Sequence, residues 1–152
     1  MAKSSGRDSD PLIGFAFSLD LGGTVTGFFS EVSGIGSENE IVEHKVVTQD
    51  GHEVVQKIPG RLKFTDVTLK RGITDNLEVW EWRRLVEEGK MKDARKNCSI
   101  IMYDRDYAPA ARWDFVNAWP SKVTGPEAKA DSNDYAIEEM ILVHEGMKRV
   151  KV

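Results

Sequence analysis

The sequence predicts a mainly β fold, a β-sandwich or barrel-like subunit with one short α-helix. Three observations predict it. Apolar runs are short and separated by Gly, Pro and Asp-Gly turns, many of these runs alternate apolar and polar residues, and a single segment has helical periodicity. Seven or eight strands can be placed on the 152-residue chain, a length that suits one domain.

The first two strands are predicted at residues 14–20 and 24–32, on either side of a Gly22-Gly23 hairpin turn. A loop at residues 33–37 follows. Further strands are predicted at residues 97–103, 110–119 and 134–144, with breaks at Pro109 and over residues 120–126.

Asp50-Gly51 lies between runs at residues 41–48 and 52–58, an arrangement typical of a β-hairpin that Pro59-Gly60 would close. Polar and apolar residues mix in both runs, so neither offers a clean apolar face. Such a hairpin cannot lie flat on its own core, and we expect it to reach outward to another chain.

The run at residues 61–71 is the next predicted strand, and its apolar positions change parity midway. Leu62 and Phe64 share one face, whereas Val67 and Leu69 share the other. This change indicates a bulge, or a strand that passes from one sheet to another.

One helix is predicted, about Asp75–Glu88, with Asp75 as N-cap, Glu78 as its capping-box partner and Gly89 as the C′ residue. Helical spacing places Trp80 on the far side of its apolar face, near Arg83, Arg84 and Glu87. The apolar face itself consists of Val79, Trp82, Leu85 and Val86.

The charge balance argues against phosphate-backbone binding, because 25 acidic and 21 basic side chains give a net charge of −4. The single Cys98 allows no internal disulfide and favours a reducing cytoplasm.

The N-terminus has no signal-peptide pattern, and no apolar run is long enough to cross a bilayer, so we expect no membrane insertion. We expect residues 1–10 to form a flexible N-terminal arm and residues 11–152 a single domain.

The sequence offers no convincing catalytic, metal or cofactor site. His144-Glu145 resembles the start of a zinc-protease motif, but Lys148 stands where the second histidine is needed. Cys98 lies in an apolar strand, which favours a buried, inert thiol. Glu138 and Glu139 are adjacent on a strand, so they point to opposite faces and cannot act as an acid/base pair.

Apolar residues in positions that one core does not obviously bury indicate an interface between chains. Trp80 opposes the packed helix face, Trp119 precedes a proline at a strand end, and the strand at residues 137–143 is apolar on both sides. Tryptophan is enriched at interface hot spots. The alternative is that one sandwich buries both sets of residues itself.

The chain resembles the T4-like tail tube family, the tail-tube proteins of contractile phages and of phage-tail-like contractile injection systems. The resemblance runs from Asp10 to about Gly146. In chain order, its landmarks are DPLIGF from Asp10, GFFSEVSG from Gly27, KIPGR from Lys57, TLKRGITD from Thr68, WEWR from Trp80, AWP from Ala118, TGP from Thr124, IE at Ile137 and HEG from His144.

The resemblance implies a structural, non-enzymatic subunit that needs no cofactor. Six subunits would form a hexameric ring, their strands would close into a continuous β-barrel around a lumen, and stacked rings would form a tube. Expected partners are further copies, a sheath protein, baseplate or tube-initiator and terminator proteins, and a lumen cargo of DNA or protein effector. Assembly in the bacterial cytoplasm would precede incorporation into a phage virion or an injection particle.

The predicted inter-subunit contacts are the hairpin residues Gln49, Asp50, Gly51 and His52, together with Trp80, Glu31 and Glu138. Possible sheath contacts are Glu78, Glu81, Glu87 and Glu88. Two other functions are weighed: a monomeric β-barrel that binds a small apolar ligand, and a hydrolase, which would need a convergent nucleophile and base that the sequence does not offer.

Overall fold

The computed structural model describes residue 14 and residues 16–23, 25–126 and 136–152; the predicted N-terminal arm at residues 1–10 lies outside this range. The described residues form ten strands and two short helices, which confirms the mainly β prediction. In chain order the elements are β1 Ala16–Asp20, β2 Val25–Phe29, β3 Glu31–Ser33, β4 Ser37–Val47, β5 Glu53–Phe64, β6 Val67–Gly72, α1 Glu78–Glu87, α2 Met91–Ala94, β7 Lys96–Tyr103, β8 Pro109–Thr124, β9 Ile137–Val143 and β10 Gly146–Val150.

Eight strands form the body of the subunit in the hydrogen-bonded order β2-β1-β7-β8-β9-β6-β3, with β10 on β8, and β4 pairs with β5 in a separate two-stranded sheet. All neighbouring strands are antiparallel. The first part of β8 pairs with β7 and β10, whereas its second part, from Trp119, pairs with β9. The long strand β8 therefore joins two sheet regions.

The inner faces of these two regions enclose one apolar core. Leu19 of β1, Ile100 of β7 and Phe115 of β8 meet Leu69 of β6 and Leu142 of β9 in a cluster that excludes water almost completely. Truncating a side chain of this size to alanine typically costs about 2–5 kcal/mol. The core therefore packs the two sheet regions against each other within one chain.

Helix α1 packs along β8, and Val79 and Trp82 enter the core as predicted. The Trp82 indole Nε1–H donates a 2.6 Å hydrogen bond to the Ala94 carbonyl oxygen, which fastens the short helix α2 against α1. The Arg83 guanidinium donates to the Pro120 carbonyl oxygen at 3.0 Å. Both helices are thereby fixed to the sheet.

The prediction of an Asp75 N-cap is wrong. Helix α1 begins at Glu78, and Leu77 in the cap position makes no side-chain capping bond. The Asn76 side-chain oxygen instead accepts a hydrogen bond from the Glu78 N–H at 2.9 Å. An asparagine two residues before the helix start therefore takes the role that the sequence assigned to an aspartate.

The predicted helix end at Gly89 is confirmed, because this residue has φ +77°. Its N–H donates to the Val86 carbonyl at 3.0 Å, and the Lys90 N–H donates to the Leu85 carbonyl at 2.9 Å. These two bonds define a Schellman motif, which usually requires glycine at the left-handed position.

The Gly22-Gly23 hairpin is confirmed, but the single strand predicted at residues 24–32 is two strands. β2 pairs with β1, and β3 pairs with β6 on the other side of the body. The chain changes partner at Ser30, whose N–H donates to the Lys70 carbonyl at 2.9 Å.

Two predicted proline breaks are wrong. Pro59 and Gly60 lie within β5, because among the described residues this strand pairs with β4 alone and Pro59 lies opposite Ile41 next to a register shift. β8 likewise runs through Pro120 to Thr124, with its irregularity between Pro120 and Lys122. Proline is compatible with a strand where its missing N–H is not needed by a neighbour.

The parity change over residues 61–71 reflects a passage between sheets. β5 ends at Phe64 in the two-stranded sheet, and β6 begins at Val67 in the body.

Two elements of the structure are not predicted from the sequence. Helix α2 is too short to show periodicity, and strand β10, which pairs with β8, is not among the predicted strands. In the part of the chain that the structure describes, no helix is long and apolar enough to cross a membrane.

Candidate assembly surfaces

The β4–β5 hairpin is the most distinctive surface of the subunit, and we call it the arm. Its strands have 11 and 12 residues, and nearly every residue in them is exposed. At about 3.3 Å per residue, the arm is about 30 Å long. It is therefore long enough to reach a neighbouring subunit.

The tip of the arm is a tight turn between β4 and β5. The Thr48 N–H donates to the His52 carbonyl at 2.9 Å, and the Gly51 N–H donates to the Thr48 carbonyl at the same distance. The Thr48 side-chain hydroxyl adds a bond to the His52 carbonyl at 3.2 Å. The predicted contact residues Gln49, Asp50, Gly51 and His52 all lie exposed at this tip, and their contact with another subunit stays a prediction.

Strand pairing gives the arm two different faces. Val42 lies opposite Ile58, and Val46 opposite Val54, with His44 and Gln56 between these pairs. We call these six residues the apolar arm face. The register thus gathers four aliphatic side chains on one face, with the polar His44–Gln56 pair between them, so polar and apolar residues still mix on this face as the sequence predicts.

The opposite side, the charged arm face, carries the pairs Ile41–Pro59, Glu43–Lys57, Lys45–Val55 and Val47–Glu53, so its four charged side chains are mixed with four apolar ones. The Lys45 ammonium lies 3.9 Å from the Glu53 carboxylate, and the Lys63 ammonium lies 2.8 Å from the Glu40 carboxylate near the base. These exposed pairs contribute little stability. They keep this side of the arm soluble.

The arm is joined to the body by an aromatic contact. The ring of Phe64, the last residue of β5, lies 5.4 Å from the imidazole of His144, which in turn lies 4.8 Å from the ring of Phe115 in the core. Burial lowers the pKa of His144 below its usual value, and nearby backbone groups and the Asp66 carboxylate oppose this shift. His144 is therefore a packing residue, whereas His44 and His52 are exposed on the arm.

Trp80 does not lie free on the outer side of α1, as the helical spacing predicted. It is half-buried, and its indole Nε1–H donates a 2.8 Å hydrogen bond to the Glu138 Oε2 atom. Its ring also lies close to Gly125. Trp80 thus already packs within the subunit, and any contact with a neighbour would use only the exposed remainder of the ring.

Glu138 is buried in the body of the subunit. The Arg71 Nε–H donates to its Oε1 atom at 2.5 Å, and both side chains are 4% exposed. Arg71 also lies over the ring of Phe29, 5.0 Å from its centroid. The Glu138 carboxylate therefore makes contacts inside the chain, and its contact with a neighbouring subunit stays a prediction.

Glu31 lies on the short edge strand β3 and is exposed. Its cross-strand partner is Lys70 on β6, and the partner of Lys70 on β9 is Glu139. These three residues form a row of alternating charge on the outer face of the sheet, and Glu31 ends this row at the sheet edge. Its contact with a neighbouring subunit stays a prediction.

The four acidic residues predicted to meet a sheath lie on α1 and at its end, and all are exposed. The Arg83 guanidinium lies 3.7 Å from the Glu87 carboxylate, and the Lys90 ammonium 3.0 Å from the Glu88 carboxylate. Glu78 and Glu81 lie in the first turn of the helix, where negative charge is favourable.

Among the described residues, the side chains that could act as nucleophiles, acids or bases do not converge on a reactive centre. Cys98 is buried as predicted, and burial, together with the negative charges of Asp20 and Asp114, raises its pKa to about 12. The Asp114 carboxylate accepts a 2.6 Å hydrogen bond from the Ser99 hydroxyl, which lowers its pKa, and the Arg112 guanidinium adds to this effect. Among the described residues, no group of His, Cys, Asp and Glu side chains has the arrangement of a metal site.

The sequence model of the family described as T4-like virus tail tube protein gp19 matches residues 14–148. The chain belongs to the T4-like tail tube protein family. Its structural role as a tail-tube subunit, the component of a phage tail or injection particle, follows from this membership.

Solved structures show the same fold as this tail-tube subunit. A chain of an extracellular contractile injection system, the PVC sheath-tube complex in its extended state, superimposes with a TM-score of 0.74 at 22% identity, covering 99% of this chain and 100% of that one. A chain of the anti-feeding prophage tube-terminating cap gives 0.73 at 20% identity, covering 98% and 97%. Hcp1 from Flavobacterium johnsoniae gives 0.52 at 16% identity, covering 89% and 94%. No curated protein matches the chain.

Proposed function

We propose that this tail-tube subunit assembles into hexameric rings that stack into the inner tube of a contractile tail or injection machine. The exposed arm carries this proposal. It presents an aliphatic face to solvent, which in a monomer is unfavourable and in an assembly is an interface. The tube would be a conduit for DNA or a protein effector, propelled by contraction of a sheath.

The proposed partners are a sheath protein, baseplate or initiator proteins and terminator proteins. Structural relatives come from a sheath-tube complex, a tube-terminating cap and a baseplate, which supports partners of these kinds. The exposed acidic residues of α1 form a surface that suits a basic sheath. We propose assembly in the bacterial cytoplasm, followed by incorporation into a virion or an injection particle.

The role is mechanical and not catalytic, in keeping with a structural family. We propose that residues 11–152 act as the single tube-forming domain. Residues 1–10 would form a separate N-terminal arm, distinct from the β4–β5 arm. The alternative of a monomeric barrel that binds a small apolar ligand receives no support from the comparisons.

Removing the tip of the arm tests this proposal. A variant in which residues 47–53 are replaced by a short glycine bridge should fold, because the body has its own core, but should fail to form rings. Sedimentation velocity and negative-stain images of the variant would give the result.

A matched control replaces the exposed residues Arg105 and Asp106, in the turn between β7 and β8, with glycine and should assemble normally. Normal rings from the arm variant would contradict a role for the arm tip in assembly.

A further inference from the structure

The base of the arm contains a partly buried histidine that contacts both the arm and the body. His144 lies in the link between β9 and β10. The Phe64 ring, at the end of β5, lies 5.4 Å from its imidazole, and the Phe115 ring, in the core, lies 4.8 Å from it. We call the contact of these three rings the arm joint. A titratable side chain thus connects the arm with the core.

The surroundings of the His144 imidazole suit its neutral form. Both ring nitrogens are shielded from solvent, and neither completes a hydrogen bond among the described residues, although backbone groups of Thr65 and Gly146 lie near them. Protonation would give the ring a positive charge and a second N–H donor. Burying an unpaired charge costs far more than burying a neutral polar group. The charged ring must therefore move toward water.

Few charged groups face this imidazole. Its neighbours on β5 and β8 are phenylalanines, and Gly146 at the start of β10 has no side chain. The Asp66 carboxylate, in the link between β5 and β6, favours protonation of His144, but burial is the larger effect. The exposed Glu145 carboxylate accepts a 2.6 Å hydrogen bond from the Asn117 side-chain amide. Burial therefore decides which form the closed joint prefers.

The body side of the arm joint is held more firmly than the arm side. Phe115 is 1% exposed, and the Glu145 N–H donates to the Val116 carbonyl at 2.9 Å, which fixes the chain next to the histidine. Phe64 is only half-buried, and among the described residues β4 and β5 pair only with each other. A histidine ring that moves to reach water therefore displaces Phe64, and with it the base of the arm.

We propose that the arm joint is pH-sensitive: the neutral His144 imidazole holds the base of the arm against the body, and protonation in mild acid loosens it. Burial lowers the pKa of His144 in the closed joint below 6.5, its value in an open one. The stabilisation is therefore complete above pH 6.5 and is lost as the pH falls through the lower pKa of the closed joint. This inference does not depend on the proposed tube function.

Amide exchange of the full-length chain between about pH 5 and about pH 7.5, corrected for the intrinsic pH dependence of exchange, tests the proposal. Thr65 follows Phe64, and its N–H donates to the Gly36 carbonyl at 3.2 Å, so its protection reports on the arm joint. Because opening takes up one proton, this protection should fall by up to about tenfold for each pH unit below 6.5. The Gly51 amide at the arm tip is the internal reference and should keep its protection, because the tip can open without releasing His144.

Two neutral variants separate protonation from packing. His144→Phe keeps an aromatic ring in the arm joint but cannot be protonated, so it should remove the pH dependence of Thr65 protection. His144→Gln should remove it as well, with weaker protection at every pH because the ring is lost. The matched control replaces the exposed His44 and His52 with glutamine and should retain the pH dependence of the wild type.

The proposal is overturned if Thr65 protection in the wild type does not change with pH, or if both His144 variants change as the wild type does. Protection that rises in acid would also overturn it, because the aromatic rings would then stabilise the imidazolium. Equal losses of protection at core amides of β7 would show that the titration acts on the whole fold and not on the arm joint. None of these results bears on the tube function.

Discussion

At the scale of single residues, the Glu138 carboxylate connects three elements of the body. It accepts hydrogen bonds from Arg71 on β6 and from Trp80 on α1, while it projects from β9. Arg71 and Glu138 are direct cross-strand partners, so the ion pair also fixes the register of β6 against β9. A buried pair of this kind stabilises little relative to apolar residues, but losing one partner removes the charge that compensates the other.

Glu138→Leu should therefore lower the free energy of unfolding by about 3–5 kcal/mol, because it leaves the Arg71 charge buried without its carboxylate. Urea denaturation of dilute protein measures this change. Glu139→Leu is the matched control, since the neighbouring side chain is half-buried on the outer face, and it should change stability by about 0.5 kcal/mol or less. Equal effects of the two substitutions would contradict the assignment.

The environments of the α1 side chains, Trp80 among them, could be predicted from the sequence only in part. Helical spacing correctly placed Val79 and Trp82 in the core, because it depends only on local geometry. The partner of Trp80 is 58 residues away on β9, and helical spacing contains no information about that contact. A glutamate on an apolar strand was the available signal that something must pair with it.

At the scale of elements, the arm depends on the way its base leaves the body. Gly34 follows β3 with φ +85°, and a Cβ atom added there would lie 2.1 Å from the Asp66 carbonyl oxygen. Asp66 lies in the two-residue link between β5 and β6. The backbones at the two ends of the arm therefore lie so close at Gly34 that a side chain there has no room.

Gly34→Ala should destabilise the base of the arm by at least about 1–2 kcal/mol, from the left-handed conformation alone, with the steric clash adding to it. Thermal unfolding and amide exchange across β4 and β5 would show the effect. The control is Gly36→Ala two residues later, where an added Cβ meets nothing within 4 Å and φ is not positive. Equal stability of Gly34→Ala and Gly36→Ala would contradict the requirement for glycine at position 34.

Elements were predictable where their signal was local. The Asp50-Gly51 turn, the Gly89 helix end and the strand near residues 97–103 follow from short patterns, and the structure has all three. Pro59 and Pro120 were misread as breaks, because their tolerance depends on which neighbour a strand has at that position. The apolar arm face emerged only with the register that places Val42 beside Ile58 and Val46 beside Val54.

At the scale of the whole molecule, a well-packed body carries surfaces that the body does not cover. The core residues are almost fully buried, whereas the arm exposes the aliphatic side chains of Val42, Val54, Val55 and Ile58. A fold that needed no partner would bury or replace these residues. The family resemblance predicted the tube role from the sequence, but the register of β4 against β5, which gathers aliphatic side chains on one face of the arm, required the structure.

The central claim is that copies of this subunit assemble into a tube. Negative-stain electron microscopy of the purified protein over a range of concentrations, with light scattering on the same samples, tests it most directly. We expect six-fold rings and hollow tubes of constant diameter. A folded, monodisperse monomer at every concentration, which stays monomeric when purified baseplate proteins are added, would contradict the claim.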